Sequence, residues 1–152
     1  MIRRGFMGNR ISIIMESRSQ NEAFARLAAA AFVSPLDPTL SELAEIKTAV
    51  SEAVTNAIIH GYGHPNGRVY IDLSLEERAF TVEVRDEGSG IEDIARAREP
   101  LFTSKPELDR SGMGFTIMEE FMDGLEVYSE RGVGTRVVMR KNISAAGNAG
   151  GR

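Results

Sequence analysis

Two alternating runs, Arg68 to Leu75 and Ala79 to Arg85, are separated only by a short acidic turn at Glu76-Glu77. Strands that close together pair as an antiparallel hairpin, because a parallel return needs a crossover of a dozen or more residues. A second pair, Leu125 to Ser129 and Thr135 to Lys141, turns around Arg131-Gly132-Val133-Gly134. Hairpins of this kind build a largely antiparallel sheet, and such a sheet needs a second layer to cover one face.

The second layer is legible in the rest of the chain. Arg10 to Glu16 alternates around Ile11, Ile13 and Met15 and reads as one more strand. Ser19-Gln20-Asn21-Glu22 has the capping-box pattern and opens a helix whose apolar face is Phe24, Leu27, Ala28, Ala31 and Phe32. Thr39-Leu40-Ser41-Glu42 opens a longer one, with a stripe of Leu40, Leu43, the Lys47 stem, Val50, Ala53, Val54 and Ala57, stopped by Gly61 and Gly63. A short helix from Ile91 to about Arg98, a loop with two prolines from Glu99 to Gly112 and a helix from Gly112 to Met122 follow. The order β-α-α-β-β-α-loop-α-β-β predicts an α+β fold, a two-layer sandwich with helices on one face of the sheet. Residues 10–142 make this domain. Residues 1–9 read as an N-terminal extension, and 143–152, rich in Gly, Ala and Asn, as a disordered tail.

Composition narrows the function. A chain of 152 residues is one domain by length, and its 18 basic against 22 acidic residues leave a formal charge of −4. That balance speaks against a general nucleic-acid or anionic-membrane binder. The absence of cysteine excludes disulfides and thiolate metal sites and fits a reducing compartment. The longest apolar run, near Leu27 to Val33, is too short to span a bilayer, and no signal peptide is read, so the expectation is a cytoplasmic protein.

Four clusters carry chemistry. Glu52 and Asn56 are four residues apart and share one helix face beside the apolar stripe, with His60 a turn further on. Such a pair is either a solvated helix edge or a carboxylate base and an amide oxygen converging on a metal-phosphate group, since Mg²⁺ takes few protein ligands beside phosphates and water. Asp86-Glu87-Gly88-Ser89-Gly90 follows a strand. It is either a plain turn or a site where Asp86 accepts from an exocyclic amine while Gly88 and Gly90 let a flat ring approach. Ser111-Gly112-Met113-Gly114-Phe115 opens a helix, where free amides without Cβ atoms can hold phosphate or merely start the helix. Gly134-Thr135 is a fourth, weak element.

Taken in order, E-x-x-x-N-A on a helix, D-x-G-x-G after a strand, a proline-bounded loop, G-x-G before a helix and a late G-T resemble the GHKL ATPases, which share the Bergerat ATP-binding fold. Ser51-Glu52-Ala53-Val54-Thr55-Asn56-Ala57-Ile58-Ile59-His60-Gly61-Tyr62 is similar to the small anti-sigma-factor serine kinases within that superfamily. Pro100-Leu101-Phe102-Thr103-Ser104-Lys105-Pro106 and Ser111 to Met118 resemble their sporulation branch. The resemblance covers about Ile11 to Lys141. It implies ATP and Mg²⁺ as cofactors, Glu52 as the base that activates the attacking hydroxyl, Asn56 as the Mg²⁺ ligand and Asp86 as the adenine-reading carboxylate. Gly88 and Gly90 would form the adenine-pocket turn, completed by Thr135. Thr103 to Gly114 would be a lid over ATP, with Ser104, Lys105, Arg110, Ser111, Gly112, Met113, Gly114 and Phe115 at the nucleotide.

The implied activity is transfer of the γ-phosphoryl group to a serine of an anti-sigma-factor antagonist. The implied second partner is a sigma factor (sigma F), sequestered by a homodimer assembled from N-terminal elements. General-stress kinases share the same ATP site, and a nucleotide-gated binding module with little catalysis is the alternative from another class. The catalytic domain of a histidine kinase fits poorly, because His60 lies inside the Glu52 motif and His64 in a proline turn. Arg26 stands about 200° around its helix from Phe24, which points it to solvent. That is an ordinary surface arginine on its own, and a partner contact if the resemblance holds.

Overall fold

The computed structural model describes residues 8–100 and 113–145. Five strands form one sheet in the order β1-β2-β3-β5-β4: β1 (Asn9–Glu16), β2 (Arg68–Glu76), β3 (Ala79–Asp86), β4 (Gly124–Glu130) and β5 (Gly134–Asn142). Every neighbouring pair is antiparallel. The helices are α1 (Asn21–Val33), α2 (Leu40–Asn56), α3 (Ile94–Ala97) and α4 (Gly114–Phe121), with a 3-10 turn over Ser34–Leu36 and a π turn over Ala57–Tyr62. This is the expected two-layer α+β sandwich, and both hairpins lie where the alternation puts them. Val69, Ile71, Leu73 and Leu75 of β2, Phe80, Val82 and Val84 of β3 and Val137 and Met139 of β5 face the helices. Lys141 continues that row, and its ammonium donates to the Phe121 carbonyl at 2.7 Å and pairs with Glu45 at 3.0 Å. A cation at the C-terminal end of α4 complements that helix's dipole.

The second capping box forms as read: Thr39 Oγ1 accepts from the Glu42 amide at 3.0 Å, and Glu42 accepts from the Thr39 amide at 2.9 Å. The first does not. Gln20 precedes α1 without a side-chain cap, and the Glu22 carboxylate goes instead to Ser51 and Arg26. The buried face of α1 also differs. Ala25, Ala29, Phe32 and Val33 are buried, while Phe24 and Leu27 are 59% and 58% exposed. Alanines occur all round this helix, so its periodicity allows either side to face in, and the small side lets α1 lie close on α2. In α2, Val50, Ala53 and Val54 are buried as expected, joined by Ile46 and Ala49, while Leu40 at the helix start is 86% exposed.

Two boundaries move. The helix expected over 91–98 narrows to α3, which starts where Asp93 accepts from the Arg96 amide at 3.1 Å. Ile143 and Ser144, which the sequence reading places in the tail, are held to the body. Ile143 is buried, Arg78 donates to its carbonyl at 3.0 Å, and Ser144 donates its amide to Glu42 at 2.9 Å. No described helix is long and apolar enough to cross a membrane.

Candidate nucleotide site

The C-terminal end of α2 does not simply stop. It widens into a π turn over Ala57–Tyr62 and closes at Gly63, whose positive φ of 72° lets its amide return to the Ile58 carbonyl at 2.8 Å. Such widened turns concentrate at functional sites. Gly61 sits inside this turn and presses on Asp86 at the end of β3: a β-carbon at Gly61 would stand 2.7 Å from Asp86 Cγ. The turn after β3 lies on the same backbone. Ser89 donates its amide to the Gly61 carbonyl at 2.8 Å and its hydroxyl to the His60 carbonyl at 3.1 Å.

These contacts change what the two motif glycines do. A β-carbon at Gly88 would fall 1.9 Å from the Gly61 carbonyl oxygen, and one at Gly90 would fall 2.3 Å from the Glu130 carbonyl oxygen. Both therefore make room for neighbouring backbone and hold the turn in place. Gly90 also lines the cavity that the turn borders.

That cavity has a volume of about 890 Å³, within the size range of small-molecule sites. Asn56, His60, Asp86, Gly90, Gly114, Phe115 and Thr135 line it together with apolar Val84, Ile91, Ile94 and Val137. Asp86 forms its polar floor and is only 5% exposed. Burial pushes its carboxyl up to about 6, opposed by backbone hydrogen bonds from Gly88, at 2.9 Å, and Thr135. A buried acceptor of this kind suits an exocyclic amine, and apolar walls suit the faces of a purine ring.

At the other end of the cavity, α2 meets α4. Glu52 Oε1 lies 3.2 Å from where a β-carbon of Gly114 would stand, and both terminal atoms of the Asn56 amide lie 3.5 Å from it. The carboxylate, the amide and the first turn of α4 therefore converge. Amides at a helix start favour anions, so the start of α4 can receive a phosphate group. Among the described residues no group of three or more His, Cys, Asp or Glu side chains could hold a metal ion. Asn56 supplies one neutral oxygen, which suits a Mg²⁺ held mainly by phosphates and water. Thr103, Ser104, Lys105, Arg110, Ser111 and Gly112 lie outside the described residues.

Two participants were not legible in the sequence. Ser129 stands opposite Thr135 in the β4–β5 register. Its hydroxyl accepts the Ile91 amide at 2.6 Å and lies 2.8 Å from Thr135 Oγ1, which fixes one wall of the cavity. Tyr62 donates its hydroxyl to the Arg68 carbonyl at 2.6 Å and accepts the Glu87 amide at 2.7 Å, which anchors the residue after Asp86. Only the cross-strand pairing could have pointed to Ser129, and nothing local points to Tyr62.

A family model described as a histidine kinase-like ATPase domain matches residues 15–141. The chain is 55% identical over 139 residues to the anti-sigma F factor of Halalkalibacterium halodurans, covering 91% of this chain and 95% of the relative. It is 59% identical over 133 residues to that of Clostridium kluyveri, covering 88% and 94%. The chain belongs to the anti-sigma F factor family of histidine kinase-like ATPases. Asp86, Asn56 and the start of α4 thus lie in a histidine kinase-like ATPase domain, around one shared cavity. The crystal structure of the RsbU and RsbW domains of a Mycobacterium tuberculosis protein has the same fold. Its TM-score is 0.65 at 17% identity, over 90% of this chain and 34% of the mycobacterial one.

Proposed function

We propose that this protein binds Mg-ATP in the cavity, phosphorylates a serine of an anti-sigma-factor antagonist, and sequesters a sporulation sigma factor. The observation that carries the reading is the convergence of Glu52 and Asn56 on the start of α4, where Asn56 and Gly114 line a cavity floored by Asp86. A module that only binds nucleotide has no use for a carboxylate at that place. The named relatives support the anti-sigma role.

In the reaction, Asp86 accepts from the adenine amine and so sets the depth of the nucleotide. The amides at the start of α4 take the phosphate end, with Lys105, Arg110 and Gly112 joining from the lid as the family resemblance implies. Glu52 accepts the proton of the partner's serine hydroxyl. The serine Oγ–phosphorus bond forms as the bond from the γ-phosphorus to the β,γ-bridging oxygen breaks, and ADP leaves. Asn56 would hold Mg²⁺, which neutralises phosphate charge when bound. The exposed side chains of Ile11 on the helix-covered side of β1 and of Phe24 and Leu27 on α1 support a homodimer built from these elements.

The test is incubation of the protein with γ-labelled Mg-ATP, the antagonist and the sigma factor. The reading expects label on an antagonist serine and capture of the sigma factor with ATP present. Capture without label would leave a binding module, and neither would reject the assignment.

A further inference from the structure

Glu52 and its neighbour Ser51 point to different helices. Adjacent residues of an α-helix are about 100° apart around its axis. Glu52 faces the start of α4, whereas Ser51 donates its hydroxyl to Glu22 Oε2 of α1 at 2.5 Å. The same Glu22 oxygen pairs with Arg26 one turn further along α1, at 3.3 Å. Helix α2 is thus tied on one side to α1 by a charge-assisted hydrogen bond, at the residue next to the proposed base.

That bond acts beside a stretch of α2 whose core-facing side chains are all short. Beside Ser51 the core-facing stripe of α2 is Ala49, Val50, Ala53 and Val54, all short side chains. A helix with its side chains has a radius of about 5–6 Å, so a 10° rotation carries a side-chain tip by about 1 Å. A misplacement of that size at a reacting group can cost on the order of 10²-fold in rate.

We infer that Ser51 is a positioning residue for the phosphotransfer reaction: its hydrogen bond to Glu22 sets the rotation of α2 that aims Glu52. Arg26 shares the carboxylate, so a partner that engages Arg26 acts on the same tie. The inference rests on the reading of Glu52 as base.

The test is steady-state phosphotransfer to the antagonist at saturating antagonist concentration. Ser51→Ala should lower kcat roughly tenfold, a larger factor than any rise in KM for ATP, because Asp86 on β3, which reads the adenine, stays in place even though Asn56 turns with Glu52. Ser51→Thr, which keeps a hydroxyl, should restore most of kcat. Glu22→Ala should produce the same loss, and the double variant should lose no more than either single one, as expected for two ends of one bond. A kcat unchanged in Ser51→Ala, a loss that threonine does not rescue, or losses that multiply in the double variant would overturn the inference. Glu52→Gln serves as reference. If it abolishes transfer while Ser51→Ala transfers normally, only the positioning role fails. If Glu52→Gln itself transfers normally, the kinase reading fails, and this inference with it.

Discussion

Gly61 abuts the Asp86 carboxyl so closely that a β-carbon there would stand 2.7 Å from Cγ and 2.8 Å from each oxygen. The end of one helix and the end of one strand are therefore fitted to each other through a missing side chain. Gly61→Ala should displace the carboxyl and weaken ATP binding roughly tenfold or more, about 1.4 kcal/mol. Gly124→Ala, whose β-carbon would meet Arg140 Cβ at an ordinary 3.9 Å, should leave affinity unchanged. Isothermal titration of both variants checks the pair, and equal affinities would mean that Asp86 does not read the nucleotide.

Asp86 also gives a dependence on pH with two opposite signs. Its carboxyl is raised by burial from 3.8 to about 6, so the folded chain holds this proton more tightly than the unfolded one. The contribution to stability is greatest below 3.8 and declines as pH rises through about 6, on the order of 3 kcal/mol in all. ATP affinity moves the other way, because a protonated carboxyl is a poorer acceptor for the adenine amine. Without nucleotide, the parent protein should gain stability relative to Asp86→Asn between pH 7.5 and 5, while its ATP affinity falls. Denaturant titrations and calorimetry across that range measure both. Parallel curves for parent and variant would contradict the assignment.

The fold was legible because its determinants are local. Thr39 and Glu42 need only each other, and the hairpins need only their alternation and turns. Misreadings arose where a distant group intervenes. Glu22 has the spacing of a cap but is taken by Ser51, 29 residues on, and by Arg26. Gly61 reads as a helix stop, yet its closest neighbour is a strand-end carboxyl. The candidate site was legible as motifs, whereas Ser129 and Tyr62 enter it only through tertiary hydrogen bonds.

Asn56 separates metal from nucleotide. Asn56→Ala should weaken binding of Mg-ATP far more than that of metal-free ATP, since it removes one inner-shell oxygen. Titrations with Mg²⁺ and with EDTA provide the comparison. The same metal dependence in variant and parent would remove Asn56 from the metal.

Arg26 tests the partner surface. Its side chain is partly exposed on α1 and pairs with Glu22, and the neighbouring Leu27 is exposed. An interface of one fork-shaped cation among apolar side chains is a common form of binding hot spot. Arg26→Ala should leave ATP binding intact and weaken sigma-factor or antagonist binding at least fivefold, about 1 kcal/mol. Calorimetry with each partner decides, and wild-type affinity for both would return Arg26 to plain surface.

The central claim is that Glu52, facing the start of α4 beside Asn56, is the base of a phosphotransfer reaction. The most direct measurement is single-turnover transfer of label from γ-labelled ATP to the antagonist by Glu52→Gln, alongside its ATP affinity. The account predicts ATP affinity close to that of the parent and a transfer rate lower by roughly 10²-fold or more. Transfer at the parental rate would contradict it.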